Sequence, residues 1–206
     1  MYEIELTESL FPPQSNGALR DITIGGLLRE TAEQFSDSIA IVDIALDGSP
    51  TQQWNYGELL TISEKLAMGL ASRCEPGEKV LVWAPNIPTW LFIEYACALA
   101  GLVLVTANPS FQARELRYVL EQSGAVALVR VEGFRGNPMA VIAVEAVAGN
   151  MTIREVVDLN DEEDLFAVET VPLSCLVSHP MMLRRFSTPR AQPGFPRGPC
   201  FPTITC

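Results

Sequence analysis

The chain has 206 residues, of which 25 are acidic and 14 are basic, and a formal net charge of −11. This length accommodates one ordinary domain, and a hydrophobic fraction of 48% with 19% charged residues is typical of a folded, soluble protein. Because an acidic surface repels phosphate backbones, we expect no nucleic-acid partner.

The cysteines and the N-terminus both predict a cytoplasmic location. The five cysteines are odd in number and contain no C-x-x-C pair, which argues against a zinc site and against a disulfide framework. The opening MYEIELTESLFPP places acids where a secretory signal peptide carries positive charge before an apolar run.

The first part of the chain predicts two helices separated by two short extended segments. Thr23 is suited to cap a helix that runs to about Phe35, because apolar side chains recur there at helical spacing. These side chains are Ile24, Leu27, Leu28, Ala32 and Phe35. Residues 38–43 and 52–56 have the pattern of short strands. A second helix begins at Tyr56, and its apolar face consists of Leu59, Ile62, Leu66 and Leu70.

From residue 79 onward, apolar strands alternate with helices. Continuous apolar runs at 79–84 and 102–106 are typical of strands that are buried on both faces of a parallel sheet. The other predicted elements are helices at 88–100, 113–122 and 139–147 and strands at 126–131 and 153–157. This alternation is typical of βαβ units, whose crossovers are right-handed. The predicted fold class is therefore α/β, a layered parallel-type sheet with flanking helices.

The apolar stretch at residues 91–107 is too interrupted for a membrane span. Glu94 and Gly101 divide it, and Asn108-Pro109 ends it. We interpret the stretch as a buried helix followed by a buried strand, and we expect no integral membrane segment.

The turns after the parallel strands determine whether a dinucleotide site is expected. Such a site needs glycine-rich backbone that lets a pyrophosphate reach the N-terminus of a helix. The three turns read APNIPTW, TANPSFQAREL and RVEGFRGNPM, and none contains G-x-G-x-x-G. This argues against a nicotinamide-dependent oxidoreductase.

No recognisable site of any other kind occurs in residues 1–170. The single histidine, His179, lies beyond them, so no Ser/His/Asp or Cys/His arrangement is available. The acidic run at residues 162–164 is typical of a solvated turn, since consecutive acids point in different directions. Lys65 and Lys79 are the only lysines, and neither lies in a P-loop context. We therefore assign no catalytic, cofactor-binding or metal-ligating residue.

Two motifs nevertheless carry a specific resemblance. Residues 56–59 (YGEL) match a core motif of the form (T/S)-Y-x-E-L, from which Asn55 departs. A second motif runs from AGL at residues 100–102 to TANP at 106–109, and V-x-x-x-x-P-N-x-P-x-W lies between the two. Through these motifs, residues from about 21 to 167 resemble the AMP-forming adenylating enzymes, and most of all the fatty acyl-CoA synthetases.

The resemblance implies the first part of the large N-terminal domain of an acid–CoA ligase. Enzymes of this family use ATP and magnesium to convert a carboxylic acid to an acyl-adenylate, and then transfer the acyl group to coenzyme A. A Ser/Thr/Gly-rich loop with a lysine, which holds the phosphates, is expected directly after this region. Neither that loop nor the small C-terminal domain with its own lysine is present. We therefore expect this chain to bind no cofactor and to be inactive alone.

The composition changes at about Val171. Residues 171–206 contain no Asp, Glu or Lys, but hold seven of the fifteen prolines, three of the five cysteines and the only histidine. Such a segment cannot continue the α/β pattern, and we expect a disordered tail. The predicted division of the chain is therefore residues 1–170, the N-terminal part of an AMP-binding domain, and residues 171–206, the tail.

The genetic code offers an explanation for the tail. When each codon's first two bases are read with the last base of the codon before, TPRAQPGFPRG at residues 188–198 permits YTSGTTGFPKG. That sequence resembles the phosphate loop of the family. We interpret the tail as non-native, read in a shifted frame that begins between about Val168 and His179 and removes the ATP loop.

Two alternative functions are open, and the predicted sheet has one consequence for self-association. A non-catalytic binding or regulatory module could reuse the α/β fold; its tail would be ordered, so limited proteolysis distinguishes it. The nicotinamide oxidoreductase would instead show nucleotide binding. A parallel sheet without its later strands also leaves an unpaired edge, through which the chain could self-associate.

Overall fold

The computed structural model describes residues 20–45 and 47–161. The predicted acidic turn at residues 162–164, and the predicted tail with its frame shift, lie outside the described residues. The helices are α1 (Ile24–Phe35), α2 (Tyr56–Ala71), α3 (Pro88–Ala100), α4 (Ala113–Ser123) and α5 (Met139–Val147). The strands are β1 (Ile39–Ile44), β2 (Pro50–Asn55), β3 (Lys79–Trp83), β4 (Val103–Thr106), β5 (Ala127–Arg130) and β6 (Glu155–Asp158).

Four of these strands form a parallel sheet in the order β4-β3-β5-β6. The chain moves from β3 to β4 in one direction and from β4 through β5 to β6 in the other. Right-handed crossovers therefore place α3 on one face of the sheet, and α4 and α5 on the opposite face. The packing agrees, since α3 contacts α1 and α2 whereas α4 contacts α5. The predicted α/β fold class is confirmed.

The central strand β3 contains the most deeply buried part of the core. Val80, Leu81, Val82 and Trp83 are all fully buried, as predicted for a parallel strand that is covered on both faces. On α2, Leu59, Leu66 and Leu70 are buried and Ile62 is half-buried, so the predicted apolar face is confirmed.

Strand β4 differs from its prediction as a buried strand. It lies at one end of the sheet, where its first three residues are half-buried and Thr106 is exposed. An apolar run predicts a strand, but the elements beside that strand determine whether it is buried. The described residues place no strand on the outer side of β4.

Strands β1 and β2 form a separate antiparallel hairpin. Ile41 pairs with Trp54 and Val42 with Gln53, and the register shifts on either side of these pairs. The ring of Trp54 meets Phe92 of α3 edge-on, with ring centres 5.4 Å apart and an interplanar angle of 77°. The hairpin therefore packs on the α1–α3 side of the molecule and does not extend the parallel sheet.

Several apolar side chains that were predicted to face the core are exposed. Leu27 and Phe35 of α1 are 46% and 53% exposed, and Leu91 of α3 is 37% exposed. Leu28 and Ala32 are buried, so α1 covers the core through a narrower stripe than its sequence periodicity predicts. Trp90 is half-buried, unlike the fully buried Trp83.

Among the helices of the described part, none has the length and apolar character that crossing a membrane requires. The interrupted stretch at residues 91–107 forms helix α3 and strand β4, as predicted.

Candidate functional site

The carboxyl ends of the parallel strands form the part of this fold most suited to a ligand. In open α/β sheets, ligands bind outside these ends, at the point where the strand order reverses. Here the reversal falls between β3 and β5. The loops at residues 84–87, 107–112 and 131–138 follow β3, β4 and β5 at this edge, which we call the carboxyl edge.

Three side chains lie at neighbouring positions across the carboxyl edge. Trp83 is aligned with Arg130, and Arg130 is aligned with Asp158. The Nη1 of Arg130 lies 2.6 Å from Oδ2 of Asp158, and both side chains are largely buried, at 19% and 25% exposure. The Nε of Arg130 is buried and has no hydrogen-bond partner among the described residues. Arg130 itself offers only donors, because an arginine does not deprotonate in proteins.

Two loops of the carboxyl edge are locked together by Asn137. Its Nδ2 donates to the carbonyl oxygens of Pro109, at 2.9 Å, and Phe111, at 3.3 Å. Its Oδ1 accepts from Nε2 of Gln112, at 3.0 Å. Asn137 belongs to the loop after β5, and it therefore provides hydrogen bonds for two backbone carbonyls of the loop after β4. In the sequence, Asn137 lies in the turn RVEGFRGNPM, and no local pattern there indicates its contacts with the loop after β4.

The backbone around Asn137 forms a tight turn. Its N–H donates to the carbonyl of Phe134 at 2.9 Å, and the N–H of Phe134 donates back at 3.1 Å. The two residues between them, Arg135 and Gly136, have φ angles of 49° and 82°, which suits a type I′ turn. The Arg135 guanidinium lies 5.1 Å from the centre of the Phe134 ring. These backbone donors are therefore engaged within the turn itself.

At the carboxyl edge, backbone N–H groups near the starts of α4 and α5 are hydrogen-bonded within the chain, and the first residue of α3 has none. Pro88 begins α3 and has no N–H to offer. On α4, the backbone N–H of Gln112 donates to Glu115 Oε2 at 2.9 Å, as part of a capping box. On α5, the N–H of Ala140 donates to the carbonyl of Glu132. A phosphate at these termini would compete with contacts that the chain already makes.

The first resemblance motif coincides with the start of α2. The N–H of Glu58 donates to Oδ1 of Asn55 at 2.8 Å, and the N–H of Asn55 donates to the Glu58 carboxylate at 2.9 Å. This is a capping box, in which Ser or Thr is the usual first residue. Asn55, where this chain departs from the (T/S)-Y-x-E-L pattern, therefore preserves the physical role of that position.

The second motif also performs a structural role. Gly101 ends α3 with a φ angle of 71°, and its N–H donates to the carbonyl of Cys97. A left-handed residue at this position favours glycine. Farther along, the Asn108 side chain accepts from the N–H of Ser110 at 2.9 Å, which orders the start of the loop.

The remaining polar groups show no arrangement for catalysis among the described residues. Lys79 donates from Nζ to the carbonyl of Ser123 at 2.7 Å and so satisfies the end of α4. Burial raises the pKa of Cys97 to about 12 and, together with the nearby Glu78 carboxylate, raises the pKa of Cys74. Both thiols are therefore neutral and poor nucleophiles. His179 lies outside the described residues.

A shallow depression of about 530 Å³ lies beside the start of α2. Its lining consists of Ser36, Trp54, Asn55, Gly57, Glu58, Thr61 and Ile62. Its one carboxylate, Glu58, is already engaged in the capping box. Within the described ranges, no three His, Cys, Asp or Glu side chains are grouped so that they could hold a metal ion. The assignment of no catalytic, cofactor or metal residue remains a prediction.

Comparison with known proteins identifies relatives of this chain. The family model described as AMP-binding enzyme matches residues 28–184. The match includes both resemblance motifs and extends thirteen residues beyond Val171.

Two curated relatives illustrate the similarity in sequence. The putative acyl-CoA synthetase YngI of Bacillus subtilis is 38% identical over 117 residues, which cover 55% of this chain and 20% of YngI. The mitochondrial medium-chain acyl-CoA ligase ACSF2 of Macaca fascicularis is 36% identical over 115 residues, or 55% of this chain and 18% of ACSF2. The chain thus spans about a fifth of the length of these relatives.

Solved structures share the fold. The apo structure of MbtA from Mycobacterium smegmatis matches 75% of this chain and 28% of its own, with a TM-score of 0.63 and 28% identity. The N-terminal domain of FACL13 from Mycobacterium tuberculosis matches 71% of this chain and 36% of its own, with a TM-score of 0.60. At 21% identity, the second match shows the fold alone.

Proposed function

Because this chain belongs to the AMP-binding enzyme family, we propose that it is an N-terminal portion of an acid–CoA ligase. The whole enzyme would activate a fatty or related carboxylic acid with ATP to an acyl-adenylate and then transfer the acyl group to coenzyme A. The observation that carries this proposal is the family match over residues 28–184. The names of YngI and ACSF2, an acyl-CoA synthetase and an acyl-CoA ligase, support it.

The chain alone is proposed to be inactive. Forming an acyl-adenylate requires groups that hold the triphosphate and stabilise the charge on the departing pyrophosphate. Near the carboxyl edge, the backbone N–H groups of Gln112 and Ala140 are bonded within the chain, and Pro88 has no N–H. Of the cations near this edge, Arg130 is paired with Asp158 and Arg135 lies over the ring of Phe134. The described residues are therefore suited to support a ligand site rather than to provide its phosphate-binding groups.

The missing phosphate loop is proposed to be encoded in a shifted reading frame. The codons of TPRAQPGFPRG at residues 188–198 permit the glycine- and lysine-containing loop that the whole enzyme needs. Sequencing the coding DNA tests this directly. A stop codon in the shifted frame, or codons that do not encode the three glycines, would rule the frame shift out.

Acid-dependent exchange of pyrophosphate into ATP tests the activity. We expect no exchange from the purified 206-residue chain with medium- or long-chain fatty acids, whereas YngI under the same conditions serves as the comparison. The protein encoded by the frame-corrected DNA should show exchange. Exchange by the 206-residue chain itself would contradict its proposed inactivity, and a frame-corrected protein that folds but shows none would contradict the ligase assignment.

We propose the cytoplasm as the location of the protein, because its cysteine pattern suits a reducing compartment. One of its relatives is named as mitochondrial. Fractionation of the source cells, followed by detection of the chain in each fraction, would distinguish the two compartments.

A further inference from the structure

We propose that the free edge of β1 is a self-association surface, through which a second copy of this chain pairs antiparallel, strand against strand. From the sequence, we expect self-association through an unpaired edge of the parallel sheet. Within residues 20–45 and 47–161, open strand edges occur on the β1–β2 hairpin, on β4 and on β6, and their side chains differ.

Exposed apolar side chains favour β1 over the other edges. Ile39, Val42 and Ile44 are 59%, 41% and 55% exposed, whereas the four-residue strand β4 has no large hydrophobic side chain of comparable exposure and β6 has only Val156. Phe35, four residues before β1, adds a further exposed ring at 53%. A β-branched strand of six residues that exposes this much apolar surface has the composition of an interior strand rather than an edge.

The partner strand β2 has the opposite character. Its sequence is PTQQWN, it begins with Pro50, and its first four residues are exposed. Proline lacks the N–H that a neighbouring strand would need, so it is typical of edge strands. A hairpin of two strands is marginally stable by itself, and added strands stabilise it. An additional strand therefore fits beside β1, which leaves β2 at the outside.

A second copy can meet β1 in a register without repulsion. A twofold axis between two antiparallel strands places one residue opposite its own equivalent. If that residue is Val42, Ile44 lies opposite Ala40 of the second copy and Asp43 lies opposite Ile41. No acid then faces another acid, and the Asp43 carboxylate remains bonded to Thr51 of β2 at 2.6 Å. Pairing centred on Asp43 would oppose two carboxylates, which is unfavourable.

The interface is small, so the expected dimer is weak. Pairing through one short strand buries less than the ~800 Å² per partner of a standard interface. The net charge of −11 adds repulsion between copies, which salt screens. Association should therefore appear only at high micromolar concentration, and it should strengthen as salt is added.

Sedimentation velocity of the full chain over a range of concentrations tests the proposal. We expect Val42→Lys to weaken the dimer at least tenfold, because two lysines would then lie directly opposite each other. The matched control is Gln53→Lys, since Gln53 is the β2 partner of Val42 and is exposed. It should leave the dimer within about threefold of the wild type, as expected for a surface position outside the interface. Circular dichroism confirms that each variant folds.

Charge complementation tests the register. A mixture of Val42→Lys and Val42→Glu should associate more tightly than either variant alone, because the opposite charges then face each other. Failure of the mixture to associate would overturn the proposal. So would a loss of association in Thr106→Lys or Val156→Lys, which alter the β4 and β6 edges, with no loss in Val42→Lys.

A monomer at every concentration would also overturn it. In that case, hydrogen exchange at the β1 amides would show whether another segment covers the edge. Protected amides in a monomer would assign the edge to such a segment, and rapidly exchanging amides would show that the edge stays open.

Discussion

The indole N–H of Trp83 donates to the main-chain carbonyl of Asn108, at a distance of 2.8 Å. Trp83 ends β3, while Asn108 lies in the loop after the neighbouring strand β4. The bond therefore connects two loops of the carboxyl edge through a side chain that is fully buried. Trp83 therefore packs in the core and also orders the carboxyl edge, where a ligand would bind.

Replacing Trp83 with phenylalanine should destabilise the protein by about 2 to 4 kcal/mol, from the unpaired Asn108 carbonyl and the cavity left in the core. Urea unfolding followed by circular dichroism measures the change in the free energy of unfolding. Trp90→Phe is the control, since Trp90 is half-buried, and it should cost less. Equal losses for the two variants would contradict the role given to the Trp83–Asn108 bond.

Asn137→Ala should destabilise the protein by about 1 to 3 kcal/mol, because the carbonyls of Pro109 and Phe111 lose their donor. Asn137→Asp should behave similarly, since a carboxylate has no N–H to donate. Gln112→Ala removes the exposed Gln112–Asn137 bond together with the side-chain half of the α4 capping box, and it should cost no more than about 1 kcal/mol, as for the loss of a helix cap. If Asn137→Asp retained full stability, the donation to the carbonyls would not matter.

The capping box at the start of α2 gives a prediction about the first motif. Asn55→Thr restores the residue type of the pattern and should change the free energy of unfolding by less than about 0.5 kcal/mol, whereas Asn55→Ala should cost about 1 kcal/mol. The physical reason is that threonine retains an oxygen that can accept from the N–H of Glu58. Thermal unfolding of both variants measures the difference. Equal destabilisation by Thr and Ala would show that the position does not act through the cap.

Ser63 of α2 is fully buried, and its hydroxyl has no hydrogen-bond partner among the described residues. Ser63→Ala should therefore stabilise the protein by about 1 kcal/mol, since it removes an unsatisfied polar group. Ser72→Ala is the contrasting variant, because the Ser72 hydroxyl donates to the carbonyl of Gly69 at 2.8 Å. Urea unfolding should show opposite signs for the two. Destabilisation by Ser63→Ala would indicate a partner for the hydroxyl in solution.

The Glu78–Arg154 pair gives a pH dependence. Both guanidinium Nη atoms contact the Glu78 carboxylate, at 2.9 and 2.5 Å, and these bonds hold the pKa of Glu78 below its usual value of 4.5. Because the folded-state pKa is lowered, the pair stabilises the protein above the unfolded pKa, and this contribution is lost as pH falls through the folded one.

Glu78→Gln should therefore lower the free energy of unfolding at pH 7, by about 0.5 kcal/mol for a partly exposed pair. The difference from the wild type should vanish in acid, below the folded-state pKa of Glu78. Unfolding curves across the pH range measure this gap, with the exposed Glu121→Gln as the control for loss of charge. A gap that stays constant into acid would exclude the ion pair as its source.

The sequence alone determined most of the local structure and the family. Thr23, whose Oγ1 accepts from the N–H of Gly26 at 3.0 Å, and Gly101, with its positive φ, were recognisable as helix ends. These are local signals, because a cap or a left-handed glycine depends on residues within one turn of it. The periodicity of the helices and the unbroken apolar run of β3 are likewise local signals.

The tertiary structure decided which surfaces are covered and which loops meet. Periodicity showed that Leu27 and Phe35 share an apolar face, but they are exposed because no described element packs over them. An apolar run predicted a buried β4, yet its place at the end of the sheet leaves one side open. The contacts of Asn137 span 25 to 28 residues of sequence. Bonds of that separation depend on how the strands are ordered, which local sequence does not encode.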